Sequence, residues 1–128
     1  MTKSEALVRS IVGPIRWDIR PFCQAIELAA HLLFEEQLPR EEILLIRDIY
    51  GVVAAYHSKQ PATVAKQIER LSNLCLDALE SRGLMAQYVG APNPIIRSSG
   101  EIIFYLAYFY QFDRPYYEVV RAQPDLSL

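Results

Sequence analysis

Ser98-Ser99-Gly100-Glu101-Ile102-Ile103-Phe104-Tyr105-Leu106-Ala107-Tyr108-Phe109-Tyr110-Gln111-Phe112 is the stretch on which the fold turns. Its β-branched and aromatic residues would also suit a buried strand. Ser98 followed three residues on by Glu101, however, is a capping-box pattern, in which each side chain satisfies a backbone N–H at a helix start. That pattern decides for a helix over residues 101–112. The aromatic run continues to Tyr117, so eight of the chain's fourteen aromatic residues lie between Phe104 and Tyr117. An aromatic side chain buries roughly 150–250 Å² and dominates core and interface energetics alike. On a helical wheel Ile102, Tyr105, Leu106, Phe109 and Phe112 share one stripe, and Phe104 and Tyr108 another. A helix apolar on every side must be enclosed, which is demanding for so small a chain, and tyrosine is enriched at interfaces. The pattern therefore predicts Tyr105, Leu106, Phe109 and Phe112 inside, with Phe104, Tyr108 and Tyr110, joined by Tyr116 and Tyr117, turned toward a partner.

Outward from this element the signals are helical. Thr2 and Glu5 form another capping box ahead of the stripe Leu7, Val8, Ile11 and Val12, and Gly13-Pro14 ends that helix. Residues 14–20 alternate apolar and charged with no second strand to pair with, which suits an extended linker anchored by Trp17. A second helix begins near Pro21 and runs to about Gln37. A third is predicted from Glu41 to about Ser58, apolar around most of its girth and hence central. A fourth, from about Ala62 to Ser81, is the cleanest amphipathic element, with Gly83 placed to cap it. Residues 84–99, with Gly90, Pro92, Asn93 and Pro94, read as one long irregular loop. A short helix through Tyr116, Val119 and Val120 precedes a tail, residues 124–128, expected to fray. The expected fold is all-α: a single domain built as a five- to six-helix bundle with short antiparallel connections, its helical core spanning residues 21–123.

Composition bounds the function. The 128 residues carry 52% apolar and 22% charged side chains and a net charge of −2, which excludes extensive disorder. Lys and Arg are scattered rather than gathered in the basic stripe that nucleic acid requires. The one charge cluster is acidic: Glu35, Glu36, Glu41 and Glu42 around Leu38-Pro39. Cys23 and Cys75 sit in helical patterns and read as small buried hydrophobes of a reducing compartment. The N-terminus lacks a signal-peptide layout, and no apolar run reaches the ~20 residues of a membrane span. The expected location is the cytoplasm.

Four constellations invite a site and each has a plainer reading. Glu27, His31 and Glu35 recur every four residues on one helical face and are the only weak metal candidates; a carboxylate di-iron bundle would need Glu-x-x-His repeated on a second helix, so a solvated stripe is favoured and no metal or cofactor is expected. Arg47 and Asp48 interrupt the third helix and suit its wet edge. Gly51, Ala55 and Ser58 would let another helix approach. Arg97, Ser98 and Ser99 open a helix after a loop and are a weak anion site, although ordinary capping explains them. No nucleophile context, Cys-x-x-Cys pair or glycine-rich nucleotide turn appears. These features point to a non-enzymatic α-helical protein–protein interaction module, homodimeric through its aromatic C-terminal helix together with the exposed edge of the third. The alternative is a small-molecule-binding bundle with an aromatic-lined pocket under the 84–99 loop.

Overall fold

In the computed structural model, which describes residues 1–128, the chain forms seven α-helices and no strand: α1 (Lys3–Val12), α2 (Arg20–Ala30), α3 (Gly51–Tyr56), α4 (Pro61–Ser81), α5 (Met85–Tyr88), α6 (Ile102–Phe112) and α7 (Tyr116–Ala122). Turns of 3-10 helix at Arg40–Glu42, Ser99–Glu101 and Pro124–Leu126 and π-helical turns at His31–Glu35 and Leu45–Tyr50 complete it. No helix is long and apolar enough to cross a membrane.

Local chemistry explains most boundaries. The Thr2 hydroxyl accepts the Glu5 N–H at 3.2 Å, and Gly13, at φ +73°, closes α1 by donating its N–H to Arg9. Proline in the first turn starts both α2 and α4, where its missing N–H costs nothing. Asp18, just ahead of α2, accepts the Arg20 N–H at 3.0 Å and both arms of its guanidinium at 2.9 Å. The Arg20 side chain holds the Asp18 carboxyl down at about 2. After α4 the chain makes a Schellman closure: Leu84 N–H to Leu79 C=O at 2.8 Å and Gly83 N–H to Glu80 C=O at 3.3 Å. Gly83 supplies the left-handed turn, at φ +66°, that this closure needs.

The centre of the molecule is α6 against α2, the most extensive helix contact in the fold. Ala25, Ala29 and Ala30 on α2 and Ala107 on α6 are all buried, and small side chains let two backbones come close. Around them Phe22, Ile26, Ile102, Ile103, Phe104 and Leu106 belong to one continuous core that also takes in α1, α4 and α5. Ile68, Leu71, Cys75 and Leu79 present the buried face of α4. Cys23 and Cys75 are unpaired and buried; burial pushes both thiols up to about 12, so each behaves as a packing group rather than a nucleophile.

Five features differ from the sequence-based expectation. α6 is a helix, but the capping box does not form. The Ser98 side chain caps nothing, and Glu101 instead binds Arg40 at 2.5 Å, so a 3-10 turn opens the helix. The expected third helix is broken: Ile43 and Leu44 are extended, a π turn follows, and only Gly51–Tyr56 is α-helical. The 84–99 loop contains α5 and is pinned down, with Tyr88 buried against Phe109 (centroids 5.0 Å apart) and donating to Ser10 at 2.8 Å. The tail is held rather than frayed: Tyr108 donates to the Leu126 carbonyl and the Leu128 N–H donates to the Tyr116 hydroxyl at 3.1 Å. Trp17 is 43% exposed, with the Arg70 guanidinium 4.8 Å from its ring centre.

Candidate functional site

Three of the five aromatic residues expected at an interface, Phe104, Tyr108 and Tyr116, face the chain's own interior. Phe104 is fully buried and Tyr108 and Tyr116 nearly so. Tyr105, Phe109, Tyr110, Phe112 and Tyr117 are the half-buried ones. The predicted division of α6 holds for Leu106, which is fully buried, and fails for Phe104 and Tyr108, which are more buried than Tyr105, Phe109 and Phe112, because α2, α7 and the tail close over that stripe. The rings close on one another: Tyr108 meets Phe34 and Tyr116 edge-on with centroids 4.9 and 4.8 Å away, and Tyr105 meets Tyr116 edge-on at 5.1 Å. Such edge contacts add about 0.5–1.5 kcal/mol each beyond area burial. Burial raises the phenols of Tyr105, to about 12, and Tyr108. Tyr110 is left beneath the Lys3 ammonium, 5.2 Å from the ring centre.

Of the three metal candidates, His31 and Glu35 meet and Glu27 stands apart. Glu27 turns to the buried Ser4 hydroxyl, while His31 sits between Glu35 at 2.8 Å and Glu36 at 3.0 Å on the surface. No three His, Cys, Asp or Glu side chains are grouped to hold a metal. Around the weak anion site Arg97 and Ser98 are exposed and Ser99 is half-buried. Ser98 and Ser99, without Arg97, border an open cleft of about 770 Å³ that also carries Arg40, Glu69 and Tyr50. Burial, with Glu69 and Glu101 nearby, pushes the Tyr50 phenol up to about 12. Arg40 already serves Glu101 and stacks 3.8 Å from the centre of the Phe104 ring, which leaves this cleft poorly suited to an anion.

Residues 43–56, expected to be central, instead hold much of the exposed apolar surface: Leu44 is 51% exposed, Ile46 77%, Val52 48% and Tyr56 78%. Two local causes keep this edge outside. Asp48 bends back to accept the Leu44 N–H at 2.8 Å while its carboxylate holds the Arg47 guanidinium at 2.8 and 3.1 Å. Gly51 then donates its N–H to the Ile46 carbonyl, five residues back. A Cβ at Gly51 would stand 3.2 Å from that oxygen, so the glycine serves the π turn and not a close helix neighbour. Ala55 and Ser58 are exposed, so no helix lies on the small-residue strip. A cleft of about 610 Å³ lies between Phe34, Tyr108, Phe112 and the closing residues Leu126–Leu128; beside residues 84–99, the place of the expected pocket, Tyr88, Phe109 and Tyr110 line a smaller depression of about 290 Å³, and Gly90 approaches Tyr117 closely.

Compared with known proteins, the chain matches no family model, no curated protein and no solved structure.

Proposed function

We propose that this chain is a single-domain, non-enzymatic helical bundle that serves as a protein–protein interaction module, and that its contact surface is the apolar edge of residues 44–56 rather than the C-terminal aromatic helix. The observation that carries this reading is the exposure of Leu44, Ile46, Val52 and Tyr56 on one short segment. Scattered exposed hydrophobics are ordinary, whereas an exposed apolar patch rimmed by polar residues marks an interaction site. The rim here is charged, with Glu41, Glu42, Arg47 and Asp48 along the same segment. Self-association through α6 would compete with contacts its rings already make inside the chain, so a homodimer, if it forms, uses the 44–56 edge. The test is solution mass by light scattering and capture of partners on immobilised protein, with Ile46→Glu and Tyr56→Glu compared with Tyr110→Glu. The module reading expects the first two to abolish association and the third to leave it intact. A monomer that captures nothing, with all variants alike, would remove it.

A second reading is favoured by one observation, the aromatic-lined cleft of about 610 Å³ under the closing residues. Its volume falls in the range of small-molecule sites, and Tyr108 and Phe112 would form its wall. Thermal shift across a panel of apolar metabolites tests it; the reading expects a shift that Phe34→Ala removes, and no shift with any compound ends it.

A further inference from the structure

Leu44, Val52 and Tyr56 of the exposed edge belong to one wall of a groove, and the opposite wall comes from α2 and the π turn that extends it. On that wall Gln24, Leu28, Leu32 and Glu36 follow one another at four-residue spacing. On the other wall Tyr56, Val52, Asp48 and Leu44 do the same in the opposite direction. Gln24, Leu28, Val52 and Tyr56 line one depression of about 290 Å³. Leu32, Glu36, Leu44 and Asp48 line the next, of about 660 Å³. The His57 ring, hydrogen-bonded to the Gln24 side chain, ties the two walls at one end. Leu28 and Leu32 carry the first wall from one depression to the next, and Val52 and Asp48 carry the second in the opposite direction, so the two depressions lie end to end between antiparallel elements. Both π turns, His31–Glu35 and Leu45–Tyr50, fall in the walls of this trough, and π turns inside helices occur frequently at functional sites.

The trough has an apolar surface and an acidic rim. Leu28, Leu32, Leu44, Val52 and Tyr56 supply its apolar surface. Glu27, Glu36, Glu41, Glu42 and Asp48 line it against one cation, Arg47, and that guanidinium is held by Asp48. His31 faces Glu35 and Glu36 at the same end. Beyond the Tyr56 end stand Arg20, paired with Asp18 at 2.9 Å, and the exposed Lys59, so the negative field is strongest around Glu36, Glu41 and Glu42. The fold has no strand and therefore no sheet edge to offer an extended peptide. A row from residue 24 to residue 36 spans about 18 Å at the helical rise of ~1.5 Å per residue, which matches about three turns of a helix laid alongside.

We propose that this trough receives an amphipathic helix of a partner protein whose apolar face is flanked by lysine or arginine. The proposal rests on the interaction-module reading and names the chemistry of its partner. Helix-in-groove docking is read out by anchors at i, i+4 and i+7, and leucine-sized anchors suit the successive depressions. Basic flanks meet the carboxylate rim, which sets orientation and speeds encounter.

The test uses the full chain and two synthetic 14-residue helical peptides with the same leucine stripe, one carrying lysine on its other positions and one glutamate, followed by calorimetry and light scattering. The Leu/Lys peptide is expected to bind saturably and to weaken as salt is raised. Val52→Gln and Tyr56→Gln, both at exposed positions, are expected to reduce its affinity about tenfold or more. The pair Glu41→Lys and Glu42→Lys is expected to weaken it comparably, while Tyr110→Gln leaves it unchanged. Equal binding of the Leu/Glu peptide, or binding indifferent to Val52→Gln and Tyr56→Gln, overturns the proposal and leaves the module reading standing. No peptide binding together with a dimer broken by Tyr56→Gln puts a second copy in the trough; this too overturns the proposal and keeps the module. No binding by a chain that is monomeric and captures nothing removes both.

Discussion

Residues 102–112 and residues 43–56 are the two most apolar stretches of this chain, and they have opposite fates. The first is an unbroken α-helix whose rings are covered by α2, α7 and the tail; the second is broken by an extended step and a π turn and leaves Leu44, Ile46, Val52 and Tyr56 in solvent. Hydrophobicity alone would place both inside. The difference lies in backbone continuity: α6 presents a full helical circumference that neighbours can surround. In residues 43–56 the i→i−5 bond to Ile46 and the Asp48 clasp on Leu44 re-aim the apolar residues, sending Ile43, Ile49, Tyr50, Val53 and Ala54 inward and Leu44, Ile46, Val52 and Tyr56 outward. An apolar residue that faces water after such a specific local arrangement is a better candidate for contact than one that merely failed to find room.

The contrast can be broken most severely at Phe104. Phe104→Ala deletes a fully buried ring and is expected to cost about 3–5 kcal/mol, measured by urea unfolding. A loss below 1 kcal/mol would mean that α6 is not the closed region. Arg40 is the tie between the two regions, bonded to Glu101 and to the Ile43 carbonyl at 2.8 Å and stacked on Phe104. Arg40→Ala is expected to cost about 1–2 kcal/mol, and amide exchange would show faster opening in residues 43–50 first.

The buried phenols sharpen the comparison through pH. Tyr50 and Tyr105 titrate near 12, and Tyr108 is raised as well, against the ordinary value of 10. A folded-state pKa above the unfolded one contributes stability that is complete below pH 10 and is lost as pH rises toward 12. Ultraviolet titration is expected to show these three ionising late and together with unfolding, whereas ionisation of all tyrosines near pH 10 in a folded chain would contradict their burial. The smallest effect belongs to the open edge. Ile46→Ser and Val52→Ser are expected to change stability by no more than about 0.5 kcal/mol, and a loss of 2 kcal/mol or more in either would show that the edge is core.

Much of this was legible in the sequence, for identifiable reasons. The Thr2 cap on Glu5, the Gly83 closure and the amphipathic pattern of α4 are local signals, and the structure realises them. The helical state of residues 102–112 was legible too, although through the wrong device, since Glu101 answers to Arg40, sixty-one residues away. Which stripe of α6 faces inward was not legible, because every stripe is apolar and the choice is made by α2, α7 and the tail. The break at Ile43–Leu44 was hidden because it depends on a carboxylate reaching back four residues. Its trace in the sequence was the Arg47-Asp48 interruption and the interior Gly51, which read as a wet edge and a packing site. The trough is not legible in the sequence because Leu28 and Leu32 on one element meet Val52 and Leu44 on another only after folding. The acidic cluster at 35, 36, 41 and 42 was visible, but its relation to an apolar surface was not.

The central claim is that Tyr108 belongs to the interior and Tyr56 to the contact surface, and tyrosine-selective footprinting read by mass spectrometry tests it without altering the chain. With Tyr56 78% exposed and Tyr108 2%, modification is expected to be fast at Tyr56 and slow at Tyr108 until the protein unfolds. Rapid modification of Tyr108 in the native protein, with Tyr56 protected, would contradict the account.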